Sequence, residues 1–211
     1  MRIRSFLKFR WFAVCLTLFL QYACLGDDSG VTLQTGGTQI AFSTGWEKLN
    51  QPENFFVQQR ARITDGSIAL SAGAFKLDLS VEQYVALGIY GLQHGPEKAL
   101  EFTAKAAHIP EKEAEIAVQS KIGQQMLEQI KAASTTYSFD FLSATNIEIS
   151  GASAFEVHSK MTILQSSQTI FSRQFVYQGT DPQQIVQITY ASSSEDIFQD
   201  KSLIDAIKRP K

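Results

Sequence analysis

The chain has 211 residues, 44% of them hydrophobic, with 19 Lys and Arg against 21 Asp and Glu, a formal charge of −2. That length supports one domain with a sizeable core, and the absence of a basic excess excludes the electrostatic footprint of a nucleic-acid binder. The only cysteines, Cys15 and Cys24, fall in the first 26 residues, so no disulfide framework staples residues 27–211.

Residues 1–26 have the order of a bacterial-type export leader. Arg2, Arg4, Lys8 and Arg10 form a basic start, and residues 11–20 an uncharged apolar run. Small residues at Ala23, Cys24 and Gly26 come next, then Asp27 and Asp28. The apolar run is shorter than the about 20 residues a spanning helix needs. Two processing routes stay open. Cleavage after Gly26 makes Asp27 the first residue of a diffusible periplasmic or extracellular domain. Lipidation of Cys24 tethers the domain to a membrane; Ala23 suits that route, whereas Leu20 stands four residues before the cysteine and an aliphatic residue is wanted three before it. The leader holds four of the 19 cations, so beyond it 15 cations face 21 carboxylates, a formal charge of −6.

Residues 27–37 are rich in Gly, Ser and Asp, and Gly36 and Gly37 predict a turn. Thr38, Gln39, Ile40, Ala41 and Phe42 alternate as a half-buried strand, followed by Gly45, Trp46 and Leu49. Residues 55–63 predict the next strand, with Phe55, Val57 and Ala61 inward and Gln58, Arg60 and Arg62 outward. Thr64, Asp65, Gly66 and Ser67 carry a hairpin signal. Ile68, Leu70, Ala72 and Ala74 return in strand phase; Phe75 and Leu77 are out of phase, which predicts a bulge at Gly73.

Helical periodicity then takes over. Ser80 with Gln83 forms a capping-box pattern, and Val81, Tyr84, Val85, Gly88, Ile89 and Leu92 share one side. His94 and Gly95 stop this helix, and Pro96 suits the start of another. Residues 97–107 and 111–133 are rich in good helix formers, with a break required at Ile109 and Pro110. Ile116, Ile122, Gly123, Met126, Leu127 and Ile130 are the expected buried positions of the second piece. Residues 80–133 thus predict a helical arm inserted between two β halves.

Strand patterns resume with Tyr137, Phe139 and Phe141, then residues 146–149, 154–164, 168–177 and 184–191, separated by turn residues. Ser194, with Glu195 and Asp196 behind it, opens a final helix whose stripe is Ile197, Phe198, Leu203, Ile204 and Ile207. Strands, helices, strands and a helix give the α+β class: one domain over residues 27–211, an antiparallel sheet flanked by helices.

Both ends of this pattern carry a family resemblance. Gln39 to Trp46, a short strand running into a Gly-Trp turn, resembles the opening of PsbP-like and DcrB-like domains. The closing half, from Gly151, Ala152, Ser153 and Ala154 through three long strands to Val186, Gln187, Ile188, Thr189, Tyr190, Ala191 and a C-terminal helix with Phe198, is similar to that family's second half. Ser43 and Thr44 stand where the family has a proline, and the Ala-rich arm is longer. The resemblance implies an α-β-α sandwich serving as an accessory or binding module, with no catalytic residues to carry over.

The residues themselves advertise little chemistry. His94, His108 and His158 each lack a ligand partner at metal spacing, no serine lies in G-x-S-x-G, and Gly36 and Gly37 lack a phosphate loop around them. Arg60 and Arg62, sharing one strand face, either clamp an anion or lie on a solvated surface. Trp46 with Phe55 and Phe56 either lines a ligand slot or packs in the core. His158 either faces a groove or is a satisfied structural histidine. The arm's polar face mixes Lys105, Lys112, Lys121 and Lys131 with Glu101, Glu111, Glu113, Glu115 and Glu128, which fits a solvated or partner-docking surface and not a basic membrane face. The expected function is therefore a non-enzymatic binding module of the bacterial envelope, without metal or cofactor, contacting a protein partner. The alternatives are a small-ligand carrier with its pocket between sheet and arm, and a lipoprotein anchored through Cys24.

Overall fold

The computed structural model describes residues 30–50, 57–93 and 99–208. The leader with Cys24, and likewise Phe55, Phe56, His94 and Pro96, lie outside the described residues. Within them, β1 (Thr32–Thr35), β2 (Thr38–Ala41), β3 (Trp46–Lys48), β4 (Gln59–Ile63) and β5 (Ile68–Lys76) precede four helices. These are α1 (Val81–Leu92), α2 (Ala99–Ala106), α3 (Glu111–Gln119) and α4 (Lys121–Ala133). Then come β6 (Tyr137–Ile149), β7 (Ala152–Ile163), β8 (Gln168–Gln178) and β9 (Gln184–Ser192), a 3-10 turn (Glu195–Phe198), α5 (Lys201–Asp205) and β10 (Ile207–Lys208). The architecture is α+β, as the alternation of patterns predicts.

Seven strands form one antiparallel sheet in the order β3-β4-β5-β9-β8-β7-β6, and β1, β2 and β10 form a second. Side chains alternate across the large sheet, and both faces are covered. One face sends Leu70, Ala72, Val186, Ile188, Phe175 and Tyr177 into a core closed by the small sheet and the C-terminal segment. The other sends Phe75, Ile185, Val176, Phe155 and Val157 against Tyr84, Val85, Leu87 and Ile89 of α1 and against Ala107, Ala114 and Ala117. The arm therefore packs on the sheet.

Helix starts obey the local signals. Ser80 and Gln83 make the reciprocal capping box, and Phe75 meets Tyr84 with ring centroids 5.3 Å apart. The break at Pro110 is present, with His108 at φ 56 just before it. A second break, which the helical pattern of residues 111–133 does not reveal, falls at Ser120. Its extended backbone ends α3 while its Oγ accepts from Gly123 N at 2.9 Å and caps α4. Gly123 is required there, since a Cβ would stand 2.1 Å from the Ala117 carbonyl oxygen. The break resets the helical phase: Ile116 is 47% exposed, and Ala114, Ala117 and Val118 are the buried side chains of α3. Alanine at 114 and 117 lets α1, α2 and α3 approach closely.

Other expectations are corrected by the covering of both sheet faces. No bulge occurs at Gly73, because β5 keeps one register with β9 from Ile68 to Lys76; Phe75 is simply on the helix-covered face. The register shift lies instead between Phe141 and Ser143, inside a β6 that runs unbroken for 13 residues. The expected C-terminal helix is only a 3-10 turn and five-residue α5, and Ile207 belongs to β10, which pairs with Ile40 of β2. Gly36 and Gly37 form the β1–β2 turn as expected, both at positive φ.

Gly36 wedges that turn against the large sheet. At φ +54, an added Cβ would lie 2.6 Å from Val186 Cγ2 and 2.7 Å from Ala74 Cβ. Gly36→Ala is expected to lower stability by about 1–3 kcal/mol, read as a lower urea midpoint with an unchanged slope; an unshifted midpoint would mean that the turn is not wedged against the sheet.

Candidate functional site

The ionisable cluster of the large sheet is built on β7 and β8. Glu156 and His158 are two apart and share a face, and Arg173 is the cross-strand partner of His158. One carboxylate oxygen, Glu156 Oε1, accepts from Arg173 Nε at 2.7 Å and lies 2.7 Å from His158 Nε2. An ionised carboxylate can only accept, so Nε2 carries the hydrogen. Arg173 Nη1 donates to the carbonyls of Ile197 at 3.3 Å and Asp200 at 2.6 Å. Its guanidinium also stands 5.1 Å from the centre of the Phe175 ring. Phe198 stacks on the His158 imidazole at 4.2 Å and 10°, and meets Phe171 edge-on at 5.9 Å.

This arrangement straps the C-terminal segment to the sheet. Burial on its own would raise the Glu156 carboxyl, but the hydrogen bond from His158 and the charge of Arg173 outweigh it and hold the group below the ordinary carboxyl range. Nearby, Tyr190 is pushed far above the phenol range by burial and stays a neutral donor, bonding the Leu203 carbonyl at 2.9 Å. Ser143 faces His158 across β6 and β7. The ring's Nε2 is held by Glu156 and its face by Phe198, and no serine hydroxyl bonds to it among the described residues. Among the described residues, no group of three His, Cys, Asp or Glu side chains is placed to hold a metal ion.

Beside the cluster, on the same sheet face, lies an open hollow of about 330 Å³, lined by Leu142, Lys160, Thr162, Thr169, Phe171 and Glu195. Lys160 Nζ pairs with Asp140 at 3.2 Å, and the hydroxyls of Thr162 and Thr169 are 3.4 Å apart. Its position is opposite the face that the helical arm covers.

The expected site residues are dispersed. Trp46 packs in the core, stacked on Phe42 at 3.9 Å and edge-on to Tyr190. Arg60 and Arg62 are not on a solvated surface: they project from β4 toward the helix-covered side, Arg60 is 5% exposed, and Arg62 is ion-paired with Glu47 of β3. The sheet alternation places them there because Ala61 between them belongs to the opposite core. His158 alone joins a cluster, as a satisfied histidine. Glu156, Arg173 and Phe198 carry no motif that marks them as its partners; the available signal is the alternation of Glu156 and His158 on a strand followed by an arginine on the next.

No family model matches the sequence, and no curated protein matches it either. In three dimensions the chain is similar to the solution structure of cyanobacterial PsbP (CyanoP) from Synechocystis sp. PCC 6803. The likeness has a TM-score of 0.52 at 10% identity and covers 90% of this chain and 98% of that one. At that identity it establishes a PsbP-like fold.

Because the folded-state pKa of Glu156 is depressed, its contribution to stability is complete above the ordinary glutamate value of 4.5, and is lost as pH falls through the lower folded value. Glu156→Gln is expected to remove that part of the acid dependence and to cost about 3 kcal/mol at neutral pH, since Arg173 then stays buried without its carboxylate. Denaturant titrations of both proteins between neutral and acid pH check this; identical pH slopes would refute it.

Proposed function

We propose that this PsbP-like domain is an exported, non-enzymatic accessory module that acts by binding a protein partner in a bacterial envelope. The observation that carries the reading is the state of the sheet's ionisable cluster: Glu156, His158 and Arg173 are all engaged in holding the C-terminal segment. The order of residues 1–26 supports export. The fold-level likeness to CyanoP agrees with a module of this kind, and kinship with DcrB-like domains belongs to the same reading. A lipid on Cys24 would place the same module at a membrane.

One observation favours a second reading. The hollow over β7 and β8 combines an apolar floor at Phe171 with threonine hydroxyls and charged walls, a mixture suited to a small amphipathic ligand. A carrier would then use that hollow and not the boundary between sheet and arm.

Recovery of the protein from its native host under mild conditions separates these readings. The binding module is expected in an assembly larger than the single chain, without a stoichiometric small molecule. A chain that runs alone and releases a small molecule on denaturation would replace the module with the carrier. Intact mass in the same experiment distinguishes a start at Asp27 from a lipidated Cys24.

A further inference from the structure

We propose that the outer edge of β6 is a docking edge for an extended segment of a partner protein in which apolar and basic residues alternate. This rests on the binding-module reading and names the class of partner it requires.

The first observation is the difference between the two ends of the large sheet. One edge is β3, three residues long; the other is β6, with 13 residues and, among the described residues, only β7 beside it. An antiparallel strand with one neighbour turns alternate amide and carbonyl groups outward. Among the described residues, no turn, loop or cap backbone bond is made by residues 140–148. Exposed edges are ordinarily blunted by shortness, by lysine or proline, or by a bulge. Strand β6 is long and contains no Lys, Arg or Pro. Its one irregularity, the shift between Phe141 and Ser143, leaves Leu142 at 43% exposure, and residues 143–149 beyond it keep one unbroken register with β7.

The second observation is what flanks the edge. Phe141 on the helix side meets Phe102 of α2 edge-on at 5.9 Å, and Phe102 is 46% exposed, making an aromatic shelf beside the strand. Asp140 projects to the opposite face, its side chain 41% exposed and already paired with Lys160. Asp140 and Glu148 are the only charged residues of β6. An added strand would set successive side chains on alternate faces, so one set meets the Phe102 shelf and the other the Asp140 carboxylate. Apolar residues suit the first and Lys or Arg the second.

The test titrates the purified full chain with an alternating Lys-Val peptide of about ten residues. Saturable one-to-one binding is expected, lost when Glu replaces Lys or when alternate peptide amides are N-methylated. Asp140→Lys and Phe102→Ala are each expected to weaken it roughly fivefold; Phe102 lies on α2 and its truncation leaves the sheet intact. Equal binding of the N-methylated peptide, or unchanged affinity in both variants, overturns the proposal. So does a dimer of the chain itself that Asp140→Lys dissolves. Absence of peptide binding while the host assembly is present defeats the docking edge alone; absence of both defeats the module reading as well.

Discussion

Strands β5, β9 and β8 are buried on both faces, and this governs the rest of the molecule. A sheet covered on one side only would leave Phe75, Ile185 and Val176, or else Leu70, Ile188 and Phe175, in water. Each fully buried side chain of that size contributes about 1.5–3 kcal/mol, so both covers are obligatory. The helices between β5 and β6 form one, and the chain ends around β1, β2, α5 and β10 form the other.

The second cover is thin, and polar contacts hold it in register. Tyr177 donates to Thr38 of β2 at 2.9 Å, and Tyr190 to the carbonyl of Leu203. Arg173 reaches two further carbonyls while Phe198 lies on His158. A five-residue helix and a two-residue strand cannot hold themselves in place by local hydrogen bonding, because helix nucleation costs more than one turn returns. The cluster around His158 is thus a structural tie.

The helical cover works differently, through small side chains. Ala107, Ala114 and Ala117 are fully buried, and Gly91 stands where a Cβ would meet Ile130 of α4. Small side chains let α2 and α3 pack closely on α1, whose Tyr84, Val85, Leu87 and Ile89 hold the arm against the sheet. This packing also leaves Phe102 and Ile116 on the outside, where a helix that buried every apolar residue would show none.

Local chemistry made much of this legible from the chain alone. Ser80 with Gln83, the break at Pro110, the turn at Gly36 and Gly37 and the strand alternations all depend on neighbours within a few residues, and they determined the α+β class. What tertiary structure decided depends on partners far along the chain. Phase alone could not say that Phe75 and Leu70 are both buried, because alternation tells apart two faces and not which of them is wet. Arg60 and Arg62 looked solvated for that reason. His158 acquired its role only when β7 and β8 aligned it with Arg173, and Ile207 became a strand residue only when Ile40 lay beside it. Pairings over such sequence distances are set by which surfaces the folded sheet must cover, and a local pattern holds no record of that.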